Sequence, residues 1–126
     1  MIINEIANYL QTQDIGTKGT DIFLSRQSDS PNDQIVIYNT GGIEPDRYLP
    51  TADPTFQIIV RNTNYQTGES LVADIVDALH QVTNVELEED GTYYYYIFLM
   101  GEAGHIGRDD KGRHEWSINF ICKVQR

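Results

Sequence analysis

Apolar positions along the chain follow two different periods, and the switches between them divide it into elements. Ile3, Ile6, Ala7 and Leu10 recur at i, i+3, i+4 and i+7, one stripe of a helix spanning Ile3 to Gln13. Gly16 and Gly19 then interrupt the pattern. Asp21 to Arg26 predicts a short strand and Gln34 to Thr40 a second, while Ser28-Asp29-Ser30-Pro31-Asn32-Asp33 between them has turn composition. Thr55 to Asn62 alternates, with Phe56, Ile58 and Val60 on one face and Gln57, Ile59 and Arg61 on the other. The helical period returns from Tyr65 to Val82. There Leu71, Val72, Ile75, Val76 and Leu79 form a stripe, and Glu69, Asp74 and Asp77 fall outside it. Glycine in a helix interior costs about 1 kcal/mol relative to alanine, which places Gly68 in the first turn or just before it. Thr63 or Asn64 is the expected cap.

Two more strands follow. Thr92 to Met100 sets Tyr93, Tyr95, Ile97 and Leu99 against Tyr94, Tyr96, Phe98 and Met100; both faces are bulky, which predicts core on one side and a partner on the other. Glu115 to Val124 turns Trp116, Ile118, Phe120, Cys122 and Val124 inward and Glu115, Ser117, Asn119 and Lys123 outward, with Ile121 the exception. The order is α-β-β-β-α-β-β. It predicts an α+β fold, with two helices packed on one face of a mainly antiparallel or mixed β-sheet. Three connections stand out: Gly41 to Pro54, interrupted by Pro45 and Pro50; an acidic loop holding Glu86, Glu88, Glu89 and Asp90; and Gly101 to Arg113.

With 126 residues, 40% of them hydrophobic and 22% charged, residues 1–126 are expected to form a single domain. Charge changes the picture more. Nineteen acidic against nine basic side chains give −10, and no short window is rich in Lys or Arg. Binding to duplex DNA or to an anionic membrane draws on basic patches that release counterions, so both are disfavoured. The one cysteine, Cys122, excludes an intrachain disulfide. The chain lacks an apolar run of about 20 residues and a signal-peptide pattern at its start, and a cytoplasmic site of synthesis is expected.

Candidate chemistry is sparse. His105, Asp109, Asp110 and His114 are types that suit zinc or manganese, but they lack zinc-type spacing, and Asp110-Lys111-Gly112 is ordinary turn chemistry. Cys122 shares the inward register of its strand, where a small apolar filler is expected and a nucleophile is not. Neither a phosphate-binding glycine loop nor a serine-nucleophile motif occurs. Tyr93 to Tyr96 could stack bases, yet it follows an acidic loop and has no basic neighbours in sequence. These residues assign no catalytic group, cofactor or metal, and an enzyme is not expected.

Several segments taken in order resemble a known group. They are the opening helix ending Asn8-Tyr9-Leu10; Ile22-Phe23-Leu24 before a proline-containing tip; and Ile35-Val36-Ile37-Tyr38 with Thr40-Gly41-Gly42. Next come Phe56-Gln57-Ile58-Ile59-Val60-Arg61 leading through Tyr65 to Leu79, then Gly107-Arg108-Asp109-Asp110-Lys111-Gly112-Arg113, and last Asn119-Phe120. In this order they resemble the minor-capsid, tail-terminator and tail-to-head joining proteins of long-tailed phages, nearly end to end.

The resemblance implies a virion structural protein that forms a ring, typically a hexamer, at the head-proximal end of the tail. Its implied partners are other copies of itself, the tail-tube protein and the head connector, with genomic DNA passing through the lumen and no membrane involved. It implies a place in the virion and, during assembly, in the host cytoplasm. The surfaces expected to meet partners are Tyr94, Tyr96, Phe98 and Met100, with Arg47 and Tyr48 in the first connection and His105, Arg108, Asp109, Asp110 and Arg113 in the last. Alternatives are a connector-side adaptor of the same neck, an acidic mimic of DNA, and a small hydrolase using His105 and Asp109. The scattered placement of the acids counts against a mimic.

Overall fold

A computed structural model describes residues 2–43 and 48–125. Two helices, α1 (Ile2–Thr12) and α2 (Tyr65–His80), accompany seven strands: β1 (Ile22–Leu24), β2 (Gln34–Ile43), β3 (Thr51–Asn62), β4 (Thr83–Glu86), β5 (Tyr93–Leu99), β6 (Gly104–Arg108) and β7 (His114–Gln125). The strands form one sheet in the order β1-β2-β3-β7-β5-β4, and β6 pairs with β7. Every pairing is antiparallel except β1 with β2. This is the α+β arrangement that the hydrophobic pattern predicts. Among the described residues, no helix is long and apolar enough to cross a membrane.

Alternation decides which side the helices cover. Ile35 and Ile37 of β2, Phe56, Ile58 and Val60 of β3, and Trp116, Ile118, Phe120, Cys122 and Val124 of β7 form one core with Ile3, Ile6, Ala7 and Leu10 of α1 and Val72, Ile75 and Leu79 of α2. Phe56 stacks on Phe120 across β3 and β7, with ring centroids 5.0 Å apart. The Tyr9 hydroxyl donates to the Ala78 carbonyl at 3.0 Å and ties the helices together. Asn64 is the cap of α2: its side-chain oxygen accepts the Thr67 N–H at 2.9 Å.

Gly68 sits in the first turn of α2, and close approach explains why. A Cβ there would overlap the six-membered ring of Trp116. A helix-weakening residue is thus tolerated because β7 places the chain's largest side chain against it.

Four details differ from the pattern-based expectation. The first is strand β4, four exposed residues after α2, which takes in Glu86 from the expected acidic loop. The second is β6, inside the segment read as a connection; it fills the edge of β7 beyond the end of β5. The third is the first connection, which is shorter than expected, because Gly41–Ile43 pair with Asp53–Thr55 of β3, and Thr51 and Ala52 pair with β7. The fourth is a bulge between Tyr94 and Tyr96. The extra residue breaks strict alternation, so Tyr94 and Ile97, three positions apart, both enter the core.

Candidate functional site

The expected partner surfaces separate into groups with different surroundings. Tyr94 does not belong to an outer face. It is fully buried, and the same burial, with Glu5 nearby, pushes its phenol above the usual range. The bulge that turns it inward leaves Tyr96 and Phe98 outside, stacked with centroids 4.3 Å apart. Phe98 and Met100 are about half exposed, and Ile106, the unpaired bulge residue of β6, is 61% exposed. Phe98 on β5, Met100 just after it and Ile106 on β6 are thus exposed apolar positions along one stretch of the chain. A second apolar group, Ile43, Tyr48 and Leu49, stands at the β2–β3 tip, with Tyr48 the most exposed at 87%. Arg47 lies outside the described residues.

The β6–β7 turn is built differently. Arg113 is buried, and its guanidinium donates to the Asp109 carboxylate at 2.7 Å and to the Asp29 carbonyl at 2.7 Å. Asp109 also accepts the backbone N–H groups of Lys111 and Arg113. Lys111 reaches the Asp29 carboxylate at 2.6 Å. Gly112, with φ +77°, closes the turn. The expectation that Arg113 and Asp109 meet a partner is therefore corrected: Arg113 holds this turn to the 28–33 loop, and Asp109 is engaged within the turn by Arg113 and Lys111. Arg108 and Asp110 remain exposed.

A second arginine, missed by the pattern, completes that anchorage. Arg61 projects from β3 and is 3% exposed. It donates to the carbonyls of Ser28, Asp29, Pro31 and Asn32 at 2.7–3.1 Å. Gln34, its register partner, adds donors to the Ser28 and Pro31 carbonyls. Burial, together with the charge of Arg113, lowers the Arg61 pKa from its ordinary value. The signal available in sequence was a single arginine on the polar face of an apolar strand.

Ionisation in this cluster follows from its hydrogen bonds. Lys111, by hydrogen bond and charge, and then Arg113 hold the Asp29 carboxyl below the usual range. Partial burial pushes Asp109 up, but the backbone and side-chain N–H groups of Arg113 and the Lys111 N–H outweigh it and the net shift is downward.

His105 and His114 meet on the helix side of the sheet. Nε2 of His105 lies 3.1 Å from Nδ1 of His114. The four-ligand reading with Asp109 and Asp110 is not what forms: Asp109 is engaged by Arg113, and the described residues contain no group of three or more acidic, His or Cys side chains placed to hold a metal. Cys122 is buried, with Sγ 3.4 Å from the Pro54 carbonyl oxygen, and burial with nearby Asp53 pushes its thiol up to about 12. A thiol so hard to ionise is a core filler.

At the opposite end of the sheet, the buried Glu5 carboxylate accepts the Thr92 N–H at 2.9 Å and its hydroxyl at 2.6 Å, which anchors the acidic loop to α1. Glu88 accepts from Asn8 of the same helix.

The comparisons with known proteins bear on what these surfaces serve. No curated protein matches the chain in sequence. Among solved structures, a chain in the virion of a native gene transfer agent particle has a similar fold at 15% identity, with a TM-score of 0.64, over 96% of this chain and 84% of that one. A second solved structure, which carries no descriptive name, aligns at 14% identity with a TM-score of 0.57, over 99% of this chain and 91% of the other. The family model described as bacteriophage tail terminator protein matches residues 9–126. That span takes in both apolar groups and the arginine-anchored turn, and the chain belongs to the bacteriophage tail terminator family, with a structural role in the virion tail.

Proposed function

We propose that this chain is a ring-forming subunit that sits on the head-proximal end of the tail, stops tail-tube polymerisation and joins the tail to the head. The observation that carries this reading is the family match across nearly the whole chain. The similar fold found in a gene transfer agent virion supports a place within a particle.

A closed ring joins one surface of each subunit to a different surface of the next. Two apolar groups on separate elements suit that requirement. The Ile43, Tyr48 and Leu49 tip of one copy packs on Phe98, Met100 and Ile106 of its neighbour, with Tyr96 stacked on Phe98. Arg108 and Asp110 remain for polar contact with the tube or the connector. Six copies at −10 each carry −60, and any part of that charge lining the lumen repels DNA during passage.

The test is negative-stain microscopy of tubes assembled from the cognate tube protein, with and without this chain. The expected result is tubes of defined length with a ring-shaped density at one end. Tubes of uncontrolled length with nothing bound would overturn the terminator reading and favour the connector-side adaptor, which binding to isolated connector protein would then identify.

A further inference from the structure

We propose that His105 and His114 form a two-histidine chelate for one divalent first-row transition-metal ion, copper, nickel or zinc, with solvent completing its coordination. The two residues lie diagonally across the β6–β7 pair: His105 is opposite Trp116 and His114 is opposite Arg108. Their facing nitrogens, Nε2 and Nδ1, are 3.1 Å apart. Two metal–nitrogen bonds of about 2.0–2.1 Å would span that separation at an angle of about 95–100°. That lies between the cis angle of an octahedron and the tetrahedral angle, and the ion takes the place of the ring proton that joins the two nitrogens in the hydrogen bond. Imidazole suits all three metals, with copper bound most tightly.

The rings are held in place by their neighbours. Tyr65 sits edge-on to both, with centroids at 5.2 Å from His105 and 5.3 Å from His114. Trp116 lies 5.2 Å from His105 and 6.0 Å from His114. Trp116 is itself buried and seated over Gly68, so this wall is rigid. Preorganised ligands lose little side-chain freedom on binding. His105 is exposed and His114 half-buried, which leaves open positions on an ion within reach of water.

The protonation balance is simple. With one ring proton on Nδ1 of His105 and one on Nε2 of His114, both facing nitrogens present lone pairs. Each ring can present that lone pair because its other nitrogen carries the proton. The carboxylate of Glu69, bonded to the Tyr65 hydroxyl, and the net charge of −10 favour an approaching cation.

Trp116 is the chain's one tryptophan and gives a built-in readout. The untagged chain would be titrated with Cu²⁺ and Ni²⁺ while its fluorescence is followed. The expected result is saturable quenching at micromolar metal that a chelator reverses and Zn²⁺ competes away. His105→Gln and His114→Gln should each weaken it by about tenfold or more, and His80→Gln, on α2, should leave it unchanged. Both positions lie near the surface, and circular dichroism checks that the variants fold. As a second measurement, the wild-type melting temperature should rise with Zn²⁺ and that of either variant should not. Absence of saturable quenching up to millimolar metal, or equal quenching in the two variants, would overturn the proposal.

Discussion

The β2–β3 and β6–β7 hairpins look alike in sequence, each joined by a glycine-punctuated stretch with charged residues, but they dispose of their side chains in opposite ways. Three charged residues of the β6–β7 turn are tied within the molecule, while Asp110 stays exposed. Arg113, Asp109 and Lys111 are all bound to one another or to the 28–33 loop, which Arg61 grips from beneath. The β2–β3 tip instead presents Ile43, Tyr48 and Leu49 to solvent. Among the described residues of the two turns, Arg113 and Asp109 provide cohesion while Ile43 and Leu49 face outward. An exposed apolar group at a hairpin tip is the kind of surface that the proposed subunit contact uses.

The contrast can be broken most strongly at Arg61. Arg61→Met should destabilise the chain by about 3 kcal/mol or more, because four carbonyls of the 28–33 loop lose a charged donor together. Urea unfolding measures this, and a midpoint unchanged from wild type would show that the loop does not depend on the grip. Gly68→Ala should cost about 1–3 kcal/mol despite alanine's better helix propensity, since the added methyl overlaps Trp116 and unseats the base of the β6–β7 hairpin. A stabilised variant in thermal melts would mean that the ring moves aside freely.

Acid distinguishes the hairpins next. Asp29 and Asp109 are held below their ordinary pKa, so their contribution is fully present above the unfolded value of about 3.9 and is lost as pH falls through the lower folded values. Urea midpoints taken from about pH 6 down to about pH 3 should therefore fall more steeply for the wild type than for Asp29→Asn/Asp109→Asn. Parallel curves would remove these carboxylates from the acid response. The smallest effect on stability belongs to the other hairpin. Ile43→Ser should shift stability by about 0.5 kcal/mol or less yet abolish capping of tubes. Unimpaired capping would take the tip out of the proposed subunit contact.

How far the sequence alone reaches depends on what decides each element. Both helices and the strands around Phe56, Tyr94 and Trp116 are set by local periodicity, and Asn64 declares its capping role by type and position. Strand β6 could not be read that way. Its residues, Gly-His-Ile-Gly-Arg, neither alternate nor favour a strand; they extend because β7 offers an unpaired edge there. The bulge beside Tyr95 is equally silent, and it moved Tyr94 from the expected partner surface to the core. For the candidate site, Phe98 and Met100 were legible as exposed apolar positions. The anchoring roles of Arg61 and Arg113 were not, because their acceptors lie about 30 and 80 residues away in the chain.

Strand β7 bonds to β3 on one side and to β5 and β6 on the other, although it follows all of them in the chain. During synthesis, β3 and β5 must therefore wait with open edges until residues 114–125 have left the ribosome. Until then the emerging polypeptide offers sticky strand edges and an uncovered Phe56 to whatever is near. Completing the last strand both closes these edges and seats Trp116 on Gly68, so the act that finishes the sheet also ends the interval in which the young chain is most prone to clump.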